Sequence, residues 1–295
     1  MNSNSRKGII LAGGFGTRLH PLTKIISKQL LPVYNKPMIF YPLSVLMLAK
    51  IKNILIITDK KNLNFFKNLL GNGENLGIKI SYETQDYPKG IAEAFLIGEK
   101  FIDNKPVALI LGDNIFFGNN FAKELEKVSF DEKNSHIFIS HVKNPKDFGV
   151  AEIDKNLKVV SIKEKPNKPK SSYAVTGLYF YDKNIVKYAK DLKPSKRNEL
   201  EITDLNNIYL KKKKLKAHIL GRGFNWYDTG TFDSLLDASN SIKNLESNHD
   251  TKIALLEEIG FKNKWISKKQ LKMNLKRLSK FDQNYLSKIL KEKID

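Results

Sequence analysis

The chain has 295 residues, a 41% hydrophobic share, no cysteine and a formal charge of +20. That length can bury a large core and suits one large α/β domain with an appendage, or two domains; the ordinary apolar share argues against disorder, and the missing cysteines exclude disulfides and thiolate chemistry. No apolar run approaches the ~20 residues of a membrane span, and the opening Met1 to Lys7 lacks the apolar stretch of a signal peptide, so a cytoplasmic protein without membrane contact is expected. The lysines are scattered, as at Lys211 to Lys214, and arginine is scarce. The charge therefore reads as a solvated surface, with a field that attracts anionic phosphates as the second reading. No nucleic-acid motif accompanies it.

In chain order, Ile9 to Ala12 is a short apolar run that reads as a buried strand. It stops at Gly13-Gly14-Phe15-Gly16, with Thr17 and Arg18 directly after. A glycine turn behind a strand presents backbone N–H groups to anionic oxygens, and Arg18 adds a planar cation; a tight turn with an arginine in solvent is the equal alternative. The P-loop pattern is absent, and Leu19 stands where a dinucleotide fingerprint needs its third glycine. Lys28 to Pro37 reads as a loop and Met38 to Ala49 as a buried helix. Ile54 to Thr58, Ile78 to Glu83 and Val107 to Leu111 read as strands, with helices over 62–70 and 91–100 between them. Such alternation predicts a mostly parallel sheet, whose ligands gather at the carboxyl ends of strands. Gly13 to Arg18, Gln85 to Gly90 and Asp113 all fall there.

From about His136 the pattern changes to strands at 137–142, 150–153, 159–165 and 174–181. A helix over 198–210 carries Glu199 and Glu201 in its first turn, a short strand covers 215–220, and the lysine-rich remainder from Thr231 is helical. The predicted division is one large domain over 1–240, in two halves that meet at about 135/136, and a helical segment over 241–295. The five histidines show no metal-ligand spacing.

The run Gly14-x-Gly16-Thr17-Arg18-Leu19, then Pro21-Leu22-Thr23, Lys28 and Leu30-Leu31-Pro32, resembles the signature of the sugar-1-phosphate nucleotidyltransferases. Ser27-Lys28-Gln29, in place of the commoner Pro-Lys-Pro, resembles the branch that joins dTTP to α-D-glucose 1-phosphate. The resemblance implies a Rossmann-like α/β fold, a mixed but mostly parallel sheet flanked by helices (the nucleotide-diphospho-sugar transferase fold), with a helical C-terminal segment. It implies in-line attack of the sugar phosphate on the α-phosphorus, with Mg²⁺ on Asp113 and Asp228. Without it, Asp113 would read as a turn cap and Asp228, in Trp226-Tyr-Asp-Thr-Gly230, as an Asx turn.

Carried onto this chain, the family's catalytic cations are Arg18 and Lys28 at the triphosphate and Lys165 at the sugar phosphate. Nucleotide contacts fall on Leu11, Gly13, Gly14, Gly16, Thr17, Gln29, Gln85, Gly90 and Asp113. Gly149, Glu164 and Val175 with Thr176-Gly177 match the sugar pocket, although Glu164-Lys165 alone would read as a surface ion pair. Phe15 stands where a small residue is usual, Asp86 where proline is common, and Phe148 where tyrosine is usual. The resemblance also implies a homotetramer with an allosteric nucleotide-sugar site between subunits, drawing on 116–120 and 257–262. There Asn119 replaces a histidine and Lys262 an arginine, which weakens the grip on phosphate. Feedback on dTDP-rhamnose or a related deoxysugar route would then be weak. A uridylyl-transferring enzyme keeps the same chemistry with another base. A silent regulatory subunit would lack some of Arg18, Lys28, Asp113, Lys165 and Asp228, and all five are present.

Overall fold

The computed structural model describes residues 4–291; residues 1–3 of the opening segment and 292–295 of the predicted C-terminal segment lie outside the described residues. The first half alternates strand and helix: β1 (Lys7–Leu11), a small hairpin of β2 (Pro32–Val33) and β3 (Lys36–Pro37), α1 (Phe40–Leu48), β4 (Asn53–Thr58), α2 (Leu63–Leu70), β5 (Lys79–Thr84), α3 (Glu93–Ile97), α4 (Glu99–Ile102) and β6 (Val107–Leu111). Then follow β7 (Asn114–Gly118), α5 (Phe121–Phe130), β8 (Ser135–His141), β9 (Gly149–Ile153), β10 (Val159–Glu164), β11 (Tyr173–Tyr181), α6 (Ile185–Lys190), α7 (Ile202–Lys211), β12 (Leu215–Leu220) and β13 (Phe224–Asp228). Four helices close the described chain: α8 (Phe232–Asn248), α9 (Leu256–Lys262), α10 (Lys268–Leu275) and α11 (Lys280–Lys291).

The nine-stranded central sheet runs β5-β4-β1-β6-β11 and then divides, because β11 pairs with both β9 and β8. The start of β11 bonds β9 and its end bonds β6, while its other edge bonds β8 through a bulge between Val175 and Tyr179. Only β10 and β11 run against the other strands of this sheet. Both faces are covered, so strands such as Val107–Leu111 read as unbroken apolar runs rather than alternating ones. Ile10, Ile56 and Ile110 pack under α1 and α5. Ile9, Leu55 and Leu109 point to the opposite face, as successive strand residues must, and meet α3, α6 and α7.

One buried charge ties the start of the chain into this core. Arg6, 1% exposed, donates to the carbonyls of Ser129 (2.9 Å), Val107 (3.3 Å), Tyr181 (2.7 Å) and Asp131 (2.9 Å). Burial pulls its guanidinium down to about 10. A second buried cluster fastens the C-terminal helices. Glu246 of α8 bonds Lys36 at 3.4 Å and Lys252 at 2.9 Å, and accepts the Ile253 N–H at 2.9 Å. Thr231 and Ser234 form the capping box that starts α8.

Three expectations change. The helix read over 91–100 is two, α3 and α4, meeting at Gly98, which lies directly on the side chains of Ile9 and Leu55. The helix read from Asn198 begins at Ile202. Leu200 is held against the 89–92 loop, its N–H on Lys89 O at 2.7 Å and its carbonyl accepting from Ala92 at 3.2 Å, and Glu201 after it is extended. Glu199 and Glu201 therefore precede the helix instead of forming its first turn. The elements β2, β3, β7, α5, α6 and β13 were not expected at all, the first two lying in the stretch read as a loop, and β7 and β13 build the site.

Candidate active site

The strand ends converge as the alternation predicts. After β1, with Leu11 at its end, the chain passes Gly13, Gly14 (φ +101°), Phe15 and Gly16 (φ +57°) into a tight 3-10 turn holding Thr17 and Arg18. Both positive φ angles are costly for any residue but glycine. Thr23 Oγ1 donates to Gly16 O at 2.7 Å and closes the loop. A Cβ on Gly13 would stand 2.7 Å from Gln85 Oε1, so the loop backbone lies directly on the Gln85 amide. Gln85 donates from Nε2 to Glu93 at 2.6 Å. Gly90 (φ +99°) lies against the Leu200 backbone, where no side chain fits. Gln29 is buried under the loop, its Oε1 accepting from Ser27 Oγ at 2.5 Å and its Nε2 reaching Gly13 O at 3.4 Å.

Lys28 sits at the centre. It is only 7% exposed, and its ammonium lies 2.7 Å from Asp113 Oδ2. Asp113 follows β6 at the turn into β7. The antiparallel pair β7–β13 places Asp228 opposite Asn114 and so brings the two aspartates together from residues 115 positions apart. Burial opposes the charge on Asp113, yet the Lys28 ammonium and the amide of Asn114 hold its carboxyl below the ordinary value. Burial and the Asp113 charge push the Asp228 carboxyl up, against the pull of Lys28 and Arg18. Asp228 does form the Asx turn, its Oδ1 accepting from Gly230 N–H at 2.8 Å. A Cβ on Gly230 would meet both this oxygen and the Arg18 guanidinium, so Arg18 lies over the same turn.

Two cavities flank the Lys28–Asp113 pair. One is lined by the glycine loop, Lys28 and Gln85. The other is lined by Arg18, Asp113, Asp228, Glu164 and Lys165, with Gly149 and Val175 in its wall. Gly149 and Glu164 are direct partners across β9–β10. Thr203 Oγ1 donates to Glu164 Oε2 at 2.6 Å, and a Cβ on Gly149 would stand 3.0 Å from that hydroxyl. Lys165 (φ +37°) turns the chain out of β10. Its neighbour Glu164 pairs with Arg197 at 3.3 Å, not with Lys165 in a surface ion pair. Thr176 is fully buried and donates to Phe138 O at 2.9 Å, so it supports the β11 bulge and does not face the cavity.

Several residues of the site were not picked out from sequence. The Asn114 Oδ1 accepts from Trp226 Nε1 at 2.7 Å and from Gly177 N at 3.0 Å, while its Nδ2 donates to Asp113 Oδ1 at 3.0 Å. Arg197 bonds Glu201 at 2.7 Å and Glu199 at 3.4 Å on the cavity rim. A sequence signal existed for Asn114 and Trp226, which adjoin the two aspartates. For Arg197, in the loop before α7, and Thr203, in the first turn of α7, there was none. Among the described residues no group of three or more His, Cys, Asp or Glu side chains is placed to hold a metal; the two aspartates stand as a pair.

Beside this geometry, a glycine loop, a lysine–aspartate junction and a polar second cavity, stand the comparisons with known proteins. The nucleotidyl transferase family model matches residues 7–244. A glucose-1-phosphate thymidylyltransferase of Neisseria meningitidis is 52% identical over 287 residues, 97% of this chain and 100% of that one. A Bacillus anthracis protein crystallised in complex with a sucrose has a TM-score of 0.74 at 43% identity, covering 80% of this chain and 94% of that one. A UDP-glucose pyrophosphorylase complexed with UDP-glucose has a TM-score of 0.72 at 28% identity, covering 81% of this chain and 99% of that one. The chain is thus a nucleotidyltransferase acting on a sugar 1-phosphate, and it belongs to the nucleotidyl transferase family among the glucose-1-phosphate thymidylyltransferases.

Proposed function

We propose that the enzyme transfers the thymidylyl group of dTTP to α-D-glucose 1-phosphate, forming dTDP-glucose and pyrophosphate. A phosphate oxygen of the sugar attacks the α-phosphorus, and the bond from that phosphorus to the bridging oxygen of the β-phosphate breaks. The observation that carries this reading is the Lys28–Asp113 junction between two cavities, with Arg18, Lys165 and Asp228 around one of them. Such a reaction needs two polyanions held in line and their charge neutralised, not a covalent intermediate. Lys165 meets the sugar phosphate, Glu164 accepts from the sugar hydroxyls, and Arg18 with Lys28 holds the triphosphate and the departing pyrophosphate.

Asp113 and Asp228 fit a divalent cation. They are hard oxygen donors brought side by side, and the charge of one raises the proton affinity of the other. Mg²⁺ is commonly held by one or two carboxylates together with substrate phosphates. When bound here it neutralises charge on the phosphates; the chain's own part is to present the two carboxylates and keep Lys28 beside them.

Pyrophosphate release measured with dTTP and with UTP, each against several sugar 1-phosphates and with or without Mg²⁺, tests the reading. Turnover only with dTTP, glucose 1-phosphate and metal is expected. A preference for UTP would replace the base assignment, and no turnover with any pair would remove the reading. The wider assignments rest on the resemblance: a cytoplasmic homotetramer that starts a route to dTDP-rhamnose or a related deoxysugar, with weak nucleotide-sugar feedback. In support of weak feedback, Lys262 is paired to Glu258 at 2.7 Å. Light scattering tests the tetramer, and a monomer would remove the intersubunit site.

A further inference from the structure

The glycine loop carries an aromatic side chain that the phosphate chemistry leaves without a task. Phe15 is 64% exposed and lines the cavity of the glycine loop. Backbone groups for phosphate need no side chain at this position, and a large apolar group in water carries a cost that burial against a ligand would remove. Phe15 stands between Gly14 and Gly16, both at positive φ, and a Cβ on Gly14 would meet nothing within 4 Å. The tip of the loop thus has room on one side and glycine freedom on both.

The rest of that cavity states what the ring would meet. Thr17 and Lys28 supply a donor and a cation, Gln85 an amide, and Ile25 and Pro88 an apolar wall. Ile25 is itself 79% exposed. A ligand that satisfies all of these has a polyanionic end, a hydrogen-bonding edge and a flat apolar face. Resting on the nucleotide assignment above, we propose that Phe15 is a nucleotide-binding residue that stacks on the base of the incoming triphosphate and closes this cavity against Ile25. Aromatic stacking on a base is tolerant of base identity, since every base has a π face. Phe15 therefore supplies affinity, while the choice between bases is left to Gln85.

The test compares wild type, Phe15→Ala and Phe15→Tyr as full-length proteins by calorimetric titration with dTTP and, separately, with inorganic tripolyphosphate. Removal of the ring is expected to weaken dTTP about tenfold, within the range for one base–aromatic stack, and to leave tripolyphosphate affinity unchanged. Phe15→Tyr, which keeps the ring, is expected to bind dTTP like wild type. In steady-state assays the Phe15→Ala loss should fall on the KM for dTTP and not on that for glucose 1-phosphate. Equal dTTP affinity in Phe15→Ala and wild type overturns the proposal. So does equal weakening of both ligands, which would show that residue 15 acts through the loop backbone. Wild type that binds tripolyphosphate but gains nothing from the nucleoside overturns the nucleotide assignment itself, a result separable from the other two.

Discussion

Replacing Asn114 by leucine tests how the two halves of the site are joined. The amide is 3% exposed and serves three partners at once: it accepts from the Trp226 indole and the Gly177 N–H, and donates to Asp113. Leucine is close in size, so the loss is one of hydrogen bonds more than of volume. The Gly177 N–H is buried in the β11 bulge and would keep no partner there, a cost of about 1–3 kcal/mol. The indole N–H is part-buried and recovers some of its loss from water, so roughly 2–4 kcal/mol is expected in all. That is a large share of the ~5–15 kcal/mol that stabilises a folded domain. Asn114→Asp keeps both accepted bonds and removes only the donation to Asp113, while setting a like charge beside it. It should lose less stability than Asn114→Leu but still lose turnover. Urea unfolding with the slope held common would measure the first effect, and pyrophosphate release the second. If Asn114→Leu unfolds at the wild-type midpoint, the three-way bond is not a structural joint. If Asn114→Asp retains full kcat, the orientation of Asp113 does not depend on it.

Asp228→Asn should fold normally, keep the Asx turn through its amide oxygen, and lose most activity in kcat and kcat/KM together; near wild-type kcat at ordinary Mg²⁺ would reduce Asp228 to a turn residue. Glu246→Gln should lower stability by about 3–5 kcal/mol at neutral pH, because the buried Lys36 loses its partner; an unchanged melting temperature would contradict this. Burial opposes the Glu246 charge, but the Ile253 N–H, Lys36 and Lys252 hold its carboxyl below the ordinary 4.5. A depressed carboxylate stabilises above its unfolded value and loses that contribution as pH falls. The stability gap between wild type and Glu246→Gln should therefore narrow as the pH is taken from 5 towards 3, and a gap that widens would reverse the assignment.

Much of this site was legible because its parts are local in sequence. The glycine loop follows its strand at once, and Asp113 follows Val107–Leu111 after a single glycine, so strand-end logic alone put both at the ligand edge. Asp228 was legible only through the resemblance. Its approach to Asp113 depends on β13 pairing with β7, and neither Asn114–Gly118 nor Phe224–Asp228 was read as a strand. Each has only five residues and lies off the main sheet, so no repeat of strand and helix announced it. The start of α7 failed for a related reason. Glutamates near a helix start suit its dipole, but here the loop at Lys89–Ala92 captures the Leu200 backbone, and Glu199 and Glu201 turn to Arg197 instead. Local preference gave way to a contact from more than a hundred residues away.

The anchoring of Arg6 bears on how the protein can be cut and tagged. Its guanidinium meets carbonyl oxygens from α5, the turn after α5, β6 and β11, so one side chain near the start of the chain satisfies acceptors in four separate segments. A truncation that begins at Lys7 would spare every strand and every residue of the active site. It would nevertheless leave those carbonyls facing a vacated channel. A tag appended ahead of Asn4, by contrast, leaves the plug seated. The first residue of a truncated form is in this enzyme a choice about its interior.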